Sequence, residues 1–446
     1  MTLTDIIPSL RSSLPTRVHP EIWPVDTTPG IRGEIAVGGV PLTDIADRFG
    51  TPAYVLDEAD VRHRCAAYDR AFGAGNVVYA AKALACRGLL RWIASEGLGL
   101  AVYSAGQLAL ARSVDFPAER IVLHGDAKST ADLDAALDYR VGRIVIESAS
   151  EVARLAAVAG PDGQRVHVRV LPAELGYPDC AGLPAAHDGD RFGMPAAELD
   201  DLVGRIVAQQ RLHLVGLDVY LGSQLSRFGP AERAIRQLVV LLDEIRRRHG
   251  VTLTELNIGG GHAVAHTHGE AELALDAFAV RVRTVLRAAC LRLGVPEPRL
   301  MVTPGRAVVA RAGVAVYRVL AVRRTPDGHQ LAAVDGGLSD NPRPALYGAH
   351  YTAVLLGRTG VGTRPTTVVG RHDEAGDVLV HDAPLSADLR PGDLLAVPAS
   401  GAYQYAMASN YNLVTRPPLV GVRDGGARVL VRADTIEDLL GRDLDA

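Results

Sequence analysis

Between residues 76 and 305, short apolar runs alternate with stretches of helical spacing. This alternation constrains the fold more than any other feature of the chain. The strand candidates are 77–81, 99–103, 120–124, 143–147, 166–171, 214–220, 254–258 and 299–303. Helical patterns fill most of the gaps, at 87–96, 105–113, 130–138, 149–159, 196–210, 229–248 and 270–292. Eight strands with intervening helices predict a β/α barrel, an α/β fold of the TIM type. A doubly wound open sheet competes, but it usually has fewer strands and carries its phosphate fingerprint after the first one. Here that position holds a lysine, Lys82, in Val77-Val78-Tyr79-Ala80-Ala81-Lys82-Ala83.

After Arg306 the texture changes to short alternating strands rich in Val, Gly and Pro, such as 376–380 and 393–397. This reads as an all-β domain. The expected organisation is an N-terminal segment, 1–45, contributing to the β-domain, a barrel over 46–306 and a C-terminal β-domain over 307–446; residues 34–56 read as strand, helix and strand, which either join the β-domain or lead into the barrel. The irregular stretch 172–195, rich in Pro and Gly, suggests a loop over the barrel mouth.

Composition excludes several classes. The net charge is −4 and charged residues make up 22% of the chain, with no long basic stretch, so a nucleic-acid partner is not expected. Arg246-Arg247-Arg248-His249 reads instead as the end of a helix before Gly250, where cations favour the terminus. No apolar run approaches the ~20 residues of a spanning helix, and no signal peptide is evident near Met1. The four cysteines (Cys65, Cys86, Cys180, Cys290) form no CxxC pair, so neither zinc nor a disulfide frame is expected and the cytoplasm is the default location.

The chemistry points to Lys82. A lysine at a barrel strand's end can form a Schiff base with an aldehyde cofactor. Barrels often bind phosphate in the loops after strands seven and eight. Gly259-Gly260-Gly261 follows the seventh strand and Pro304-Gly305-Arg306 the eighth. Glycines let backbone N–H groups approach a phosphate, and an arginine adds a forked donor. His262, His266 and His268 follow the glycines, but no carboxylate or cysteine completes a metal set, so no metal is expected.

The chain resembles the diaminopimelate decarboxylases, of actinobacterial type, within the fold-type III pyridoxal 5′-phosphate (PLP) enzymes. The resemblance runs over about residues 20–440. It is carried by Tyr79–Ala83, His124-Gly125, Lys128-Ser129, Arg191-Phe192-Gly193, Gly222-Ser223-Gln224 and Gly259–Gly261. It continues through Pro304-Gly305-Arg306, Asp335-Gly336-Gly337, Arg343–Tyr347, Gly401-Ala402-Tyr403 and Ser409–Asn412. It implies a PLP-dependent decarboxylase, a β/α barrel followed by a β-domain, an amino-acid substrate and a homodimer with shared active sites. Lys82 would hold PLP. Gly259, Gly260, Gly261, Gly305, Arg306 and Tyr403 would grip it, mostly at the phosphate, with Ser223 beside them and Arg169 near the ring. Arg343, Tyr347 and Glu374 would bind the far end of the substrate, Glu374 coming from the partner subunit.

Several positions depart from that family. Tyr220 stands where a histidine stacks on the ring; a tyrosine can stack but is not cationic at neutral pH. Thr303 stands where a glutamate meets the pyridine nitrogen, and Asp373 where a cysteine returns a proton to the α-carbon, so that Asp373 or Tyr220 would supply that proton here. Two acidic positions have become Ala101 and Asn257, and a glutamate has become Gln107. Asp218 shares a strand face with Tyr220 and could restore a carboxylate near the ring. These changes imply altered active-site chemistry or an altered substrate. The alternatives are an epimerase, racemase or elimination enzyme using Lys82 and Asp373 as two bases, and a non-catalytic PLP-binding homologue.

Overall fold

A computed structural model describes residues 18–171, 192–326 and 328–444. The chain divides into two compact units: residues 64–263 with 271–307, and residues 1–63 with 264–270 and 308–446.

The first unit is a barrel. Its strands are β1 (Val78–Ala80), β2 (Gly99–Val102), β3 (Ile121–Leu123), β4 (Arg143–Ile146), β5 (Gln164–Leu171), β6 (Leu212–Val219), β7 (Glu255–Asn257) and β8 (Arg299–Met301). Each pairs in parallel with its sequence neighbour. A parallel bridge between Val77 and Val302 joins the last strand to the first, with Val78 N donating to Val302 O at 2.9 Å. A doubly wound sheet would reverse its strand order at a switch point; this one runs in sequence and closes. The helices are α1 (Arg87–Ser95), α2 (Ala105–Arg112), α3 (Thr130–Tyr139), α4 (Ala149–Val158), α5 (Leu199–Val207), α6 (Gly229–His249) and α7 (Leu275–Leu293). The basic run 246–249 closes α6, and Gly250 takes the left-handed cap.

Side chains alternate along each strand, so residues two apart share the barrel interior. Val78, Ala101, Val122, Val145 and Met301, from five strands, form an apolar layer. Ala101, where the family resemblance led us to expect a carboxylate, is fully buried within it. One strand step towards the N-terminal end, Glu255 holds Arg143 bidentately and also pairs with His167 (2.7 Å) and Arg299 (2.9 Å). These partners more than offset the burial that opposes its charge, and its pKa falls well below the usual carboxylate range.

The second unit is built on a nine-stranded sheet. Its long strand, Gly313–Arg324, pairs with Ala53–Asp57 and Leu394–Val397 over its first half and with Gln330–Val334 over its second. Ala53–Asp57 also pairs in parallel with Leu419–Arg423. Ile22, Trp23, Ile35, Val37, Val40, Leu42 and Ile45 pack in one core with Val314, Val316, Ala396 and Val420. The barrel therefore begins later than the expected residue 46. Residues 53–57 are a strand of the other sheet, because their apolar side chains and ladder hydrogen bonds are used there. Among the described residues no helix is long and apolar enough to cross a membrane.

Removing one partner of a buried ionic cluster leaves uncompensated charge. Glu255→Ala should therefore lower unfolding stability by about 3–5 kcal/mol, read as a reduced midpoint in urea at unchanged slope.

Candidate functional site

The barrel strands are parallel, so their C-terminal ends meet at one mouth. All eight bring a polar group there: Lys82 after β1, Tyr103 after β2, His124 after β3, Glu147 after β4, Arg169 in β5, Asp218 in β6, Asn257 ending β7 and Thr303 after β8. Short strand-to-helix turns hold several of them. Ser104 and Ser148 cap α2 and α4 through the backbone N–H groups of Gln107 and Glu151. Tyr103 and Glu147 are thereby fixed as the single residue between strand and cap. Gln107 adds a second lock, its Oε1 accepting from Tyr103 N at 2.9 Å. Ser129 caps α3 in a capping box with Asp132, which places Lys128 against Glu151.

Arg169 is the hub. Its Nε donates to Asp218 Oδ1 (2.5 Å), Nη1 to Glu147 Oε1 (2.9 Å) and Nη2 to His124 Nδ1 (2.6 Å). Burial opposes the guanidinium charge, but the Asp218 and Glu147 carboxylates outweigh it, and the pKa rises further. Because an arginine only donates, His124 Nδ1 must be an acceptor, so its ring is neutral with the proton on Nε2. Burial and then Arg169 drive its pKa well down, which agrees with that tautomer. Asp218 continues the chain: its Oδ2 accepts from Asn257 Nδ2 at 2.7 Å, and the same nitrogen donates to Thr303 Oγ1 at 2.9 Å. Asp218 is therefore committed to Arg169 and Asn257.

Lys82 lies at the mouth, its Nζ 4.9 Å from the centre of the Tyr103 ring. Burial of the amine, then Arg169 and Arg306, lower its pKa. Tyr220 is half-buried and meets Phe192 edge-on at 5.3 Å.

The glycine turns form a tight cradle. A Cβ on Gly259, Gly260 or Gly261 would lie 2.5 Å from Val219 O, 2.0 Å from Thr303 O or 1.9 Å from Gly222 O. Only glycine fits there, and Gly259 and Gly261 also need positive φ. Gly305 packs on Ala80 and Ala83. Arg306 Nη2 donates to Ser223 Oγ at 3.0 Å.

In the second unit, Arg343 is buried and its Nη1 contacts His266 Nε2 (3.2 Å) and the Tyr351 hydroxyl. Tyr347, four residues on, is exposed. Asp373 and Glu374 lie on an exposed turn, Asp373 at φ 55°. Asp377 holds that turn, accepting from Leu338 N (2.6 Å) and His372 N (2.9 Å). A Cβ on Gly337 would sit 2.7 Å from the Asp377 carboxylate, which accounts for the glycine there. Glu374 accepts from the Tyr411 hydroxyl, and Asn412 Nδ2 donates to His372 O at 3.1 Å. Tyr403 also has positive φ, at 61°.

The three histidines each have a separate partner. His262 bonds the Tyr68 hydroxyl (2.8 Å), and burial pushes its pKa down to about 4. His266 meets Arg343, and His268 meets Glu21. His19, Glu21 and His268 lie close together. The two rings stack at 3.9 Å and 29°, and Glu21 supplies beside them a carboxylate that the sequence reading did not find. The expected mouth loop, with Cys180 and Arg191, falls largely outside the described residues.

Glu147 was missed from sequence, and His124 and Lys128 entered it only as motif residues without a role. The available signal was a polar residue ending every barrel strand, at the same interior parity as Lys82.

Residues 58–310 match the family model described as pyridoxal-dependent decarboxylase, pyridoxal binding domain. A diaminopimelate decarboxylase of Actinosynnema pretiosum subsp. auranticum is 52% identical over 100% of both chains. The chain belongs to the pyridoxal-dependent decarboxylases. One from Mycobacterium tuberculosis, also a diaminopimelate decarboxylase, is 38% identical over 94% of this chain and 97% of its own. The crystal structure of diaminopimelate decarboxylase from M. jannaschii with L-lysine matches at TM-score 0.85 and 25% identity, covering 93% of this chain and 96% of that one. The chain is accordingly a PLP-dependent carboxy-lyase with a barrel and a β-domain.

The barrel's residues fit PLP. The glycine cradle and Arg306 suit a phosphate, and Lys82 suits an aldehyde. Two buried atoms beside Arg169, His124 Nε2 and Glu147 Oε2, have no partner among the described residues. An unpaired buried polar atom costs about 1–3 kcal/mol, so both are prepared for a polar ligand.

Two outcomes are expected. Gly260→Ala should lose PLP absorbance and thermal stability together, because its methyl would occupy the position of a carbonyl oxygen. The lowered Lys82 pKa leaves more neutral amine at a given pH. The rate of PLP capture should therefore reach half its maximum below about pH 10.4, the value for a solvated lysine, as followed by stopped-flow absorbance.

Proposed function

We propose that the enzyme removes one carboxyl group from diaminopimelate, or a close diacid relative, to give lysine or its analogue. The substrate reading is supported by the names of relatives spanning the whole chain at up to 52% identity. The observation that carries the site reading is the amine of Lys82 at a barrel mouth that also holds the glycine cradle and Arg306. The relatives give no support to a change of reaction type.

Bound PLP supplies an electron-withdrawing ring conjugated to the substrate's α-carbon. The protein's own residues do the rest. Lys82, whose pKa burial lowers, is the residue that would hold PLP through its aldehyde and would stand beside the reacting carbon as a base. Backbone N–H groups of Gly259–Gly261, with Arg306 and Ser223, anchor the phosphate anion. Arg169, fixed by three acceptors, presents a rigid cationic wall, and Tyr220 and Thr303 would stand at the cofactor ring, where Tyr220 would offer a face to stack on. Arg343 is the donor suited to a second carboxylate, with Tyr347 and Glu374 reading the distal amino group. Asp373 is the acid that protonates the α-carbon. A homodimer completes this reading, with Glu374 supplied by the partner copy.

Incubation of the holoenzyme with meso-diaminopimelate in heavy water tests this. Carbon dioxide and lysine carrying one α-deuterium, read by mass spectrometry, are expected. Deuterium exchange without carbon dioxide would instead make it a two-base epimerase using Lys82 and Asp373. Asp373→Asn should keep PLP bound and lower kcat by about 100-fold or more, the usual contribution of a positioned acid. Arg343→Lys keeps the charge but loses the fork, and should raise KM at least about tenfold, roughly 1.4 kcal/mol.

A further inference from the structure

We propose that His19, Glu21 and His268 form a binding site for a divalent transition-metal ion of the zinc class. The site lies wholly within the second unit and is independent of the reaction proposed above.

The three ligands come together although Glu21 and His268 are 247 residues apart in the chain. One nitrogen from each ring and one Glu21 oxygen all lie within 4.8 Å of one another. His268 Nδ1 is hydrogen-bonded to Glu21 Oε1, and His19 Nδ1 is 4.0 Å from the same oxygen. The rings stack on each other, so their nitrogens are gathered before any ion arrives. In a tetrahedral zinc site, bonds of about 2.0–2.1 Å put neighbouring ligand atoms about 3.4 Å apart. An ion would therefore open the Glu21–His268 contact and draw His19 in, each by about an ångström or less. His268 is exposed, which leaves a coordination position open to water. Two imidazoles and one carboxylate suit zinc and its neighbours, whereas magnesium and calcium require oxygen ligands. The ion-pair partners of Glu21 among the described residues are both imidazoles, so no arginine or lysine competes for it there.

Both turns that present the ligands are built without the ion. Ile22 N and Trp23 N donate to His19 O at 3.1 Å, and the Ile22 and Trp23 side chains are buried in the core. Those anchors set where His19 and Glu21 stand. On the other side Ala265 packs in the same core, and Glu270 accepts from His266 N and the Thr267 hydroxyl, each at 2.8 Å. His268 is held between them. Its two histidine neighbours are committed elsewhere, His262 to Tyr68 and His266 to Arg343. An ion would thus fasten the N-terminal turn to the turn that carries His266 and, through it, touches Arg343.

Calorimetric titration of zinc chloride into the tag-free, PLP-loaded full chain, first stripped with a chelator, tests the site. One saturable site per chain is expected. His19→Ala, Glu21→Gln and His268→Ala should each weaken it by at least about 100-fold, since even groups that only orient a ligand are worth about 10–100-fold. Zinc should raise the melting temperature of the native enzyme and leave that of the His268→Ala variant unchanged. Excess magnesium chloride should not displace it. The absence of saturable binding, or an affinity that all three variants leave unchanged, would overturn the site. Displacement by magnesium would overturn the class of ion. His268 is exposed, so its replacement keeps the fold, and retained PLP absorbance verifies this; should His19→Ala fail to fold, the other two variants decide.

Discussion

The barrel mouth depends on the three-way hydrogen bonding of Arg169. One guanidinium ties His124, Glu147 and Asp218, and so joins the ends of β3, β4, β5 and β6. Through Asp218 and Asn257 the connection continues to Thr303 after β8. A buried arginine is tolerable only because rigid donors meet matched acceptors, two of them anionic. Once it is in place, the tautomer of His124 and the amide orientation of Asn257 have no freedom left. The chemistry of the mouth follows from that single cation.

The positions where the resemblance implied other residues form one set in this light. Where the resemblance leads one to expect carboxylates, Ala101 packs in an apolar layer, Asn257 relays a hydrogen bond and Thr303 ends it. Asp218, which from its strand parity could have served the ring, is instead the counter-charge of Arg169. Gln107, where the resemblance implied a glutamate, braces the backbone of Tyr103. The turn Gly259–Gly261 needs its glycines, because there the backbone leaves no room for any side chain.

In the second unit, glycines and carboxylates again do joint work. Asp377 receives two backbone N–H groups, and Gly337 leaves space for its carboxylate, so the turn carrying Asp373 and Glu374 has a fixed shape. A left-handed residue such as Asp373 is unusual outside glycine and stays so only when its neighbours fix it.

The sequence by itself determined the barrel, because eight apolar runs separated by helical spacing admit few other arrangements. It also determined Lys82 and the glycine cradle, since a strand-end amine and backbone-only turns are local features. Strand Ala53–Asp57 was ambiguous because its apolar run suits either sheet, and only ladder pairing with Gly313–Arg324 and Leu419–Arg423 assigned it. Tertiary structure alone decided what each polar strand end does. Glu147, His124, Asp218 and Asn257 are up to 133 residues apart in sequence, and their protonation and orientation are set by which of them shares Arg169. Hydrogen bonds between distant strands leave no trace in local periodicity, so the roles of these residues were invisible until the barrel closed.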